Sequence, residues 1–559
     1  MMTLPWAPHY DPGVPLTVGP VTTSLPWLLL EAAEKSPQAP ALVFFGRITT
    51  YGELDARTAS LAGALRQLGL APGERLGIFL PNCPQLVMAY HAALRLGAVA
   101  VMLNPLLSPK ELAYQLADSG ATRLVLLDHF LPRLTEIRAQ VDLTHIIITS
   151  LTEALPWPLR WLYPFKSRRD GLATGFAPGP NRYAFRELLK HPPGTILPLP
   201  EPGDLAVLQY TGGTTGIPKA ARLTHGNLMA NVAQINAWLP QVRYGAERLM
   251  GLLPFTHSLG LTACLNWPMS QGAMIVVLPR FEIGNFIKAM QKYRPTMLPG
   301  VPTLFVALIN DPRLPSLDLS ALWACISGSA PLPLEVRDRF EALSNCTMME
   351  GYGLTEAAPI THFNPVQGKR PAGSMGIPLP STQVKVVDQE DGARELPPGE
   401  VGELIIQGPQ VMEGYWRNPE ETAMVLKDGW LHTGDLARMD EDGYFYIVER
   451  KKDLIIAGGY KIYPREVEEV LYQLPGVKEA AALGVPDAYR GETVKVVIVP
   501  QDGVTLSAAD VEAHCRHLLA VYKVPKIIEF RSELPKSAVG KVLRRALRET
   551  GAGPGPLSP

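Results

Sequence analysis

The sequence predicts an α/β protein, with a large N-terminal domain of layered α/β subdomains and a small α+β C-terminal domain. Helical and extended patterns alternate between residues 50 and 127, which is typical of parallel strands covered by helices. From about residue 453 the elements shorten and mix helices with strands, as in an α+β domain. The 559 residues exceed what one hydrophobic core usually organises, so we expect at least two domains.

The first elements follow from their end signals. Thr50 and Glu53 form a capping box that predicts the start of a helix, and Gly69 predicts its end. Apolar runs bounded by proline, glycine and capping residues then predict a strand over 76–80, a helix over 83–96, a strand over 98–103, a helix opened by Ser108, Pro109 and Glu111, and a strand over 123–127. In the small domain we expect helices over 464–471 and 508–520 and strands over 479–483 and 494–499.

A loop of glycines and hydroxyl residues closed by a lysine, YTGGTTGIPK, occupies residues 210–219. A buried strand is expected over 205–208 and a helix opened by Thr224 over 223–239, so the loop should join strand to helix. Glycines let backbone N–H groups approach an anion, and hydroxyls and an ammonium add hydrogen bonds to it. This composition suits the phosphates of a nucleotide and indicates an enzyme that uses ATP.

The order of residues in the loop excludes a P-loop NTPase. A Walker loop ends in Gly-Lys-Ser/Thr, whereas here Pro218 precedes Lys219 and Ala220 follows it.

The amino-acid composition narrows the class of protein further. The apolar content of 47% and charged content of 19% describe a well-packed globular protein, and the net charge of -1 argues against general affinity for nucleic acid. The five cysteines are scattered without metal-ligand spacing, which suits reduced thiols in a cytoplasmic protein. Residues 25–30 are too short for a membrane span and follow no basic stretch, so we expect a soluble protein without a signal peptide.

The loop and the motifs after it resemble, in order, those of the adenylate-forming superfamily of acyl-CoA synthetases, luciferases and peptide-synthetase adenylation domains. The further motifs are LPFTHSLG at 253–260, SGSAPL at 327–332, EGYGLTEAAP at 350–359, TGD at 433–435, ERKKDLIIAGGYKIYPREVE at 449–468 and LPKSAVGKVLRR at 534–545. The resemblance covers nearly the whole chain. It implies an AMP-binding and acyl-binding domain over 1–451 and a mobile C-terminal domain over 452–550. The Gly/Pro-rich composition of 551–559 predicts a disordered tail.

The resemblance implies a reaction in two steps. A carboxylate attacks the α-phosphate of ATP to give an acyl-adenylate and pyrophosphate, and the thiol of CoA then displaces AMP. By resemblance the nucleotide contacts are Thr211, Gly212, Gly213, Thr214, Thr215, Gly216 and Lys219 at the β- and γ-phosphates, Thr355 at the α-phosphate, Gly328, Ser329, Ala330, Gly351, Tyr352 and Gly353 around adenine, and Asp435 with Arg450 at the ribose. Ala220 stands where the family usually has glycine, and Ser329 stands where it often has glycine.

Three further residues receive catalytic roles from the resemblance. Glu356 would ligate Mg²⁺, although an acid in the first turn of a helix is the alternative. Lys541 would bridge the substrate carboxylate and the α-phosphate; an exposed surface lysine is its alternative, and Lys536 lies in the same basic segment. His257 would line the carboxylate end of the acyl pocket or be a packed core histidine. For Asp435 the alternative is a turn cap.

The second step is expected to need a rotation of the C-terminal domain about a hinge at Lys452. The rotation would bring in Gly458, Gly459 and Tyr460, whose glycines would leave a tunnel for the pantetheine arm of CoA. A β-turn between two strands would explain the same glycines.

The motif at 253–260 and the residues that follow it indicate the class of acid substrate. Thr256 follows Phe255 where amino-acid-adenylating domains carry an aspartate for the substrate amine, and Leu259, Leu261, Ala263 and Leu265 offer an apolar lining. The chain looks most like bacterial long-chain fatty acid CoA ligases. A medium-chain or aryl acid CoA ligase is the alternative within the superfamily, and a non-catalytic acyl- or nucleotide-binding protein the alternative of another class.

The small-molecule acid is one expected partner, and the protein surface indicates which larger partners to expect. The segment 157–169 interleaves aromatic and basic residues, which suits peripheral contact with an anionic membrane at its inner face; an ordinary surface loop is the alternative. No nucleic acid is expected, and a homodimer is left open.

Overall fold

The computed structural model describes residues 4–157, 159–161, 176, 179–193, 198–211, 217–457, 460–487, 490–537 and 540–549. The chain forms two compact units: a larger one of Met1–Val384 with Ile406–Leu431, and a smaller one of Lys385–Ile405 with His432–Pro559. The expected domain limits at 451 and 550 stay predictions, and the expected disordered tail over 551–559 lies outside the described residues.

The first sheet of the larger unit is mainly parallel, as the alternating pattern predicts. Its described strands lie in the order Arg182–Ala184, His145–Thr149, Arg123–Leu127, Arg75–Phe79, Val99–Met102, Leu205–Thr211 and Lys219–Thr224. Only the last two pair antiparallel within this described set. The described helices between residues 26 and 188 are Pro26–Lys35, Tyr51–Gln67, Pro84–Arg95, Pro109–Ser119, Leu131–Glu136 and Phe185–Leu188. The capping box predicted at Thr50 is present, and the helix predicted to open at Ser108, Pro109 and Glu111 also begins with a capping box.

The second sheet of the larger unit carries most of the candidate site. Its described strands lie in the order Ile377–Pro378, Ile360–Phe363, Thr347–Gly353, Ala324–Ser327, Met297–Gly300, Arg248–Gly251, Met274–Val277, Pro40–Phe44 and Arg47–Thr50. The helices between residues 225 and 425 are His225–Trp238, Ser258–Leu261, Trp267–Ser270, Ile283–Tyr293, Pro302–Ile309, Leu334–Ser344 and Pro419–Val425, with a π-helical turn over Thr262–Asn266. The short strand Leu426–Lys427 follows the last helix, and the strands Gln383–Val387, Gly402–Gln407 and Trp430–Met439 each run from one unit into the other.

The smaller unit is α+β, as predicted. The strand Phe445–Arg450 pairs antiparallel with Trp430–Met439. A second sheet has the order Tyr460–Ile462, Ile455–Ala457, Gly491–Pro500 and Val477–Asp487, with Ile527–Phe530 parallel to Gly491–Pro500. The helices are Pro464–Tyr472, Ala508–Leu518 and Arg544–Glu549. Apolar side chains of the first two helices and of this sheet form one buried core.

The prediction that the glycine-rich loop joins a strand to a helix is wrong. Lys219–Thr224 is a strand that pairs antiparallel with Leu205–Thr211, and the helix begins one element later, at His225. Thr224 caps that helix as predicted, with its hydroxyl accepting from the N–H of Asn227. The segment Ala220-Ala221-Arg222 has little strand propensity of its own, so the neighbouring strand decides its conformation.

No helix of the described residues is long and apolar enough to span a bilayer.

Candidate active site

Two neighbouring strands bring the predicted adenine residues together in the larger unit. Ala324–Ser327 and Thr347–Gly353 are parallel, with Ser327 opposite Glu350, so Gly328 and Gly351 come next to each other directly after this pair. A Cβ on Gly328 would lie 3.7 Å from the carbonyl oxygen of Gly351 and 3.3 Å from a methyl group of Leu259. A Cβ on Gly353 would lie 2.0 Å from the carbonyl oxygen of Pro359, so only glycine fits there.

Ser329 has a backbone conformation that glycine adopts more easily than serine. Its φ is +69°, in the left-handed region that a side chain disfavours. The side chains of Ser329 and Ala330 are exposed. Tyr352, one of the predicted adenine contacts, packs its ring edge-on against His362, with 5.7 Å between ring centroids.

The motif around His257 meets the motif around Thr355. The hydroxyls of Ser258 and Thr355 lie 3.1 Å apart, within hydrogen-bond distance. His257 caps the helix Ser258–Leu261, because its Nδ1 accepts from the N–H of Leu259 at 3.3 Å. His257 is half-buried, so it is a helix cap at the site rather than a packed core histidine.

Glu356 lies in a single 3-10 turn, Thr355–Ala357, and is held from outside that turn. The hydroxyl of Tyr415 donates to its Oε1 at 2.8 Å, and the N–H of Met412 donates to its backbone oxygen at 2.8 Å. A turn of three residues has little dipole, so the alternative of a helix-start acid loses its basis. No group of three or more His, Cys, Asp or Glu side chains suited to a metal occurs among the described residues. A lone carboxylate fits Mg²⁺, which usually takes one or two carboxylates together with substrate phosphates.

Lys219 is the lysine that closes the glycine-rich loop, and the structure describes it. Its side chain is 9% exposed, forms an ion pair with Glu421, and lies 5.5 Å from the ring centre of Tyr415. Thr211 faces it across the strand pair, and its hydroxyl donates to the Lys219 carbonyl at 3.4 Å. Five other predicted phosphate contacts, Gly212, Gly213, Thr214, Thr215 and Gly216, lie outside the described residues.

In the smaller unit Asp435 and Arg450 are opposite one another on paired strands, and Arg450 Nε lies 3.2 Å from Asp435 Oδ1. The Asp435 side chain is buried and the N–H of Asp435 donates to the hydroxyl of Thr433. Asp435 therefore lies within a strand, which removes the turn-cap alternative.

The structure separates the two lysines of the C-terminal motif. Lys536 Nζ lies 2.6 Å from Glu479 Oε1, so its ammonium is paired with a carboxylate on the strand Val477–Asp487. Lys541 is surrounded by charges of Arg450, Asp435, Lys452 and Asp453. Burial lowers the pKa of Lys541 to about 8, and the Arg450 guanidinium adds to this shift. Lys541 is thus the lysine that the smaller unit brings to Asp435 and Arg450.

The predicted hinge and tunnel residues lie nearby in the smaller unit. Lys452 occupies a one-turn helix, Lys451–Asp453, and its side chain is exposed. Tyr460 is exposed and stacks on Tyr522, with ring centroids 4.5 Å apart. Gly458 and Gly459 lie outside the described residues. The hinge and tunnel roles stay predictions.

Comparison with known proteins decides the family. Residues 29–416 match the family model described as AMP-binding enzyme, and residues 466–541 match the one described as AMP-binding enzyme C-terminal domain. The chain belongs to the AMP-binding enzyme family. It is 43% identical over 548 residues to the long-chain-fatty-acid–CoA ligase of Bacillus subtilis (strain 168), covering 98% of each chain. A long-chain-fatty-acid–CoA ligase of Escherichia coli O6:H1 is 40% identical over 554 residues, again with 98% coverage of each.

A solved structure of the AMP-binding enzyme family extends the comparison to the fold. ATP-bound MatB from Rhodopseudomonas palustris is 31% identical and has a TM-score of 0.82, covering 94% of this chain and 99% of that one. The predicted superfamily and the predicted fold are therefore confirmed.

Sequence reasoning missed four residues of this AMP-binding enzyme. Ser258, Tyr415 and Glu421 contact predicted site residues in the larger unit, as described above. In the smaller unit Arg544 binds three carboxylates, those of Glu449 at 3.1 Å, Asp453 at 3.4 Å and Glu468 at 2.8 Å. The segment Asn418-Pro419-Glu420-Glu421 carries a helix-start pattern that places Glu421 on a helix, but nothing local indicates its partner.

Proposed function

We propose that this protein is an AMP-forming fatty acid:CoA ligase that acts on long-chain fatty acids. The observation that carries the proposal is the 43% identity to a long-chain-fatty-acid–CoA ligase over 98% of both chains. The prediction made from the motifs agrees with this relationship. The site residues below take their roles from the family resemblance, and the geometry of each unit supports them.

In the first step the fatty acid carboxylate and the nucleotide phosphates must meet as two anions, so the barrier is mainly electrostatic and positional. Lys219 would neutralise the β- and γ-phosphates, and the hydroxyl of Thr355 would donate to the α-phosphate. Ser258 would hold the Thr355 hydroxyl in place, since the two oxygens lie 3.1 Å apart. Lys541 would offset the charge that builds up between carboxylate and α-phosphate.

Magnesium would be held by Glu356 and would supply positive charge at the phosphates. The chain's contribution is the orientation of that carboxylate, because the Tyr415 hydroxyl fixes Oε1 at 2.8 Å. Asp435 would accept the ribose hydroxyls, and Arg450, whose Nε lies 3.2 Å from Asp435 Oδ1, would hold that carboxylate in its orientation.

In the second step the CoA thiol attacks the acyl carbonyl and AMP leaves. The proposal keeps Lys452 as the hinge and Gly458, Gly459 and Tyr460 as the route of the pantetheine arm. The stacking of Tyr460 on Tyr522 supports a fixed wall at that point. In this proposal ATP and CoA are co-substrates.

The substrate class follows from the buried segment after Phe255. Thr256 is 4% exposed and carries no charge, so a substrate ammonium there would remain unpaired at high cost. Leu259, Leu261, Ala263 and Leu265 are all buried, as expected of an apolar lining. They lie on a helical segment, where residues two apart point in different directions, so they do not form one continuous wall.

An acid panel tests the proposal. Purified enzyme with ATP, magnesium and CoA would be given palmitate, oleate, octanoate, benzoate and ferulate, and acyl-CoA and pyrophosphate would be measured for each. We expect the highest kcat/KM with palmitate or oleate. Preference for octanoate or an aromatic acid would support the medium-chain or aryl alternative, and acid-independent nucleotide binding without pyrophosphate release would support the non-catalytic one.

Peripheral membrane contact at the cytoplasmic face is part of the same proposal. Of the segment 157–169, Trp157 is 79% exposed and Trp161 68% exposed, and they flank Arg160; residues 158 and 162–169 lie outside the described residues. Exposed tryptophans beside arginine suit an anionic bilayer. Sedimentation with phosphatidylglycerol vesicles should pellet the enzyme, and W157A/W161A should weaken this at least several-fold; equal pelleting of both proteins would refute the contact. The homodimer stays a prediction.

A further inference from the structure

One segment of the larger unit, residues 412–422, touches both the predicted phosphate lysine and the predicted magnesium ligand. Its backbone runs beside the strand that carries Lys219: the N–H of Trp416 donates to the oxygen of Ala220 at 2.8 Å, and the N–H of Arg222 donates to the oxygen of Gly414 at 2.9 Å. Ala221 and Tyr415 form an antiparallel bridge. The segment is therefore fixed against the same strand whose first residue is Lys219.

The segment also closes on itself. Thr422 Oγ1 accepts from the N–H of Tyr415 at 2.9 Å and donates to the oxygen of Asn418 at 2.8 Å. Gly414 has φ +141°, and a Cβ there would lie 2.6 Å from a methyl group of Thr422. The positions of Tyr415 and Glu421 are therefore set together, with Asn418 capping the helix that holds Glu421.

Two side chains of the segment 412–422 contact the predicted phosphate lysine and the predicted magnesium ligand. The Tyr415 hydroxyl donates to Glu356 Oε1 at 2.8 Å, while its ring lies 5.5 Å from Lys219 Nζ. Glu421 forms an ion pair with the same Nζ, and the two side chains are 17% and 9% exposed.

We propose that Tyr415 and Glu421 are positioning residues that hold Lys219 and Glu356 at a fixed separation, so that one nucleotide and its magnesium ion meet both. The inference rests on the proposed function. Glu421 restrains the ammonium of Lys219, which has four rotatable bonds and would otherwise sample many positions. Tyr415 restrains the Glu356 carboxylate, as hydrogen-bonding partners commonly do for metal ligands. Neither residue is assigned a contact with substrate.

The first test measures the ion pair between Glu421 and Lys219 in the absence of nucleotide. Lysine acetylation by an N-hydroxysuccinimide ester would be followed by mass spectrometry in the full-length wild type, E421Q and E420Q. Glu420 is the exposed neighbour of Glu421, so E420Q removes the same charge without touching Lys219. We expect Lys219 to react several-fold faster in E421Q than in the wild type and at an unchanged rate in E420Q. Equal rates in all three proteins would overturn the restraint by Glu421.

The second test reads nucleotide binding by titration calorimetry, which requires neither acid nor CoA. We expect the Kd for ATP at saturating magnesium to rise about tenfold in E421Q, and the magnesium concentration needed for tight ATP binding to rise about tenfold in Y415F. Y244F is the control for loss of a phenol, because Tyr244 lies on the surface near Lys35. An E421Q enzyme that binds ATP more tightly would show that Glu421 competes with phosphate, and would overturn the positioning role.

The double variant Y415F/E421Q separates a joint role from general weakening. If both residues hold one arrangement, the second substitution costs less than it does alone, whereas independent defects multiply. A wild type that binds ATP but makes no acyl-CoA would refute the proposed function and leave these binding results standing. A wild type that makes acyl-CoA, with variants that bind ATP and magnesium as it does, would refute the positioning role alone.

Discussion

The charge of Lys541 gives the sharpest prediction, because it links burial to a pH dependence. Burial lowers its pKa from 10.5 to about 8, with Arg450 adding to the shift. A shift of this size corresponds to about 3 kcal/mol of cost for keeping the ammonium in the folded protein. The folded-state pKa lies below the unfolded one, so the cost is fully present below pH 8 and is relieved as the pH rises toward 10.5.

Adenylation should therefore fall as pH rises through about 8, because the step needs Lys541 as a cation. With a pKa near 8, the protonated fraction is about one half at pH 8 and about one tenth at pH 9. Acid-dependent pyrophosphate release would be measured without CoA from pH 6.5 to 9.5. K541A should abolish this release and spare thioester formation from supplied acyl-adenylate.

The matched variant is K541R, since a guanidinium does not lose its proton in this range. Its adenylation rate will be lower, because arginine differs in shape, but the loss between pH 8 and 9 should disappear. A high-pH loss that persists in K541R would assign the titration to another group. Equal loss of both half-reactions in K541A would refute the role of Lys541 in adenylation.

Three other substitutions test the hinge and the stability of the fold. K452P should adenylate normally and form thioester poorly, because proline removes the backbone freedom at the hinge; unchanged acyl-CoA synthesis would remove the hinge role. Asp11 is buried and accepts N–H bonds from residues 366–368 at 2.6 to 3.2 Å, so D11N should lower the unfolding free energy by about 1–3 kcal/mol, while the exposed D142N should not. Burial raises the pKa of Glu153 from 4.5 to about 7, so the wild type loses stability as pH rises between these values; in thermal unfolding E153Q should match it near pH 4.5 and exceed it at pH 8. A stability difference that is the same at both pH values would contradict the assignment to Glu153.

Local signals in the sequence predicted the elements whose ends are fixed by their own residues. The capping boxes of Thr50 and Ser108 gave the starts of two helices, because the hydrogen bonds that define such a box lie within four residues. The strand Lys219–Thr224 could not be predicted in this way. Its conformation depends on pairing with Leu205–Thr211, and the residues Ala220 to Arg222 favour no strand by themselves.

The same distinction holds for the site. Groups that carry chemistry lie in contiguous motifs, so Lys219, Glu356, Asp435 and Lys541 could be named from the sequence. The groups that hold them come from distant parts of the chain. Tyr415 reaches Glu356 across 59 positions, and no spacing rule relates the two. A motif thus predicts which residue acts, while its partner has to be read from the fold.

Lys536 and Lys541 show what the fold adds when the sequence offers two candidates. Both are lysines of one basic motif, and their side-chain chemistry is identical. Lys536 has its charge neutralised by Glu479 at 2.6 Å, and that contact holds it at the second sheet of the smaller unit. Lys541 lies instead among two cations and two carboxylates, where burial destabilises its ammonium. A cation that is poorly stabilised by its own protein gains most from an anionic substrate, and on this physical ground Lys541 is the better candidate for the adenylation step.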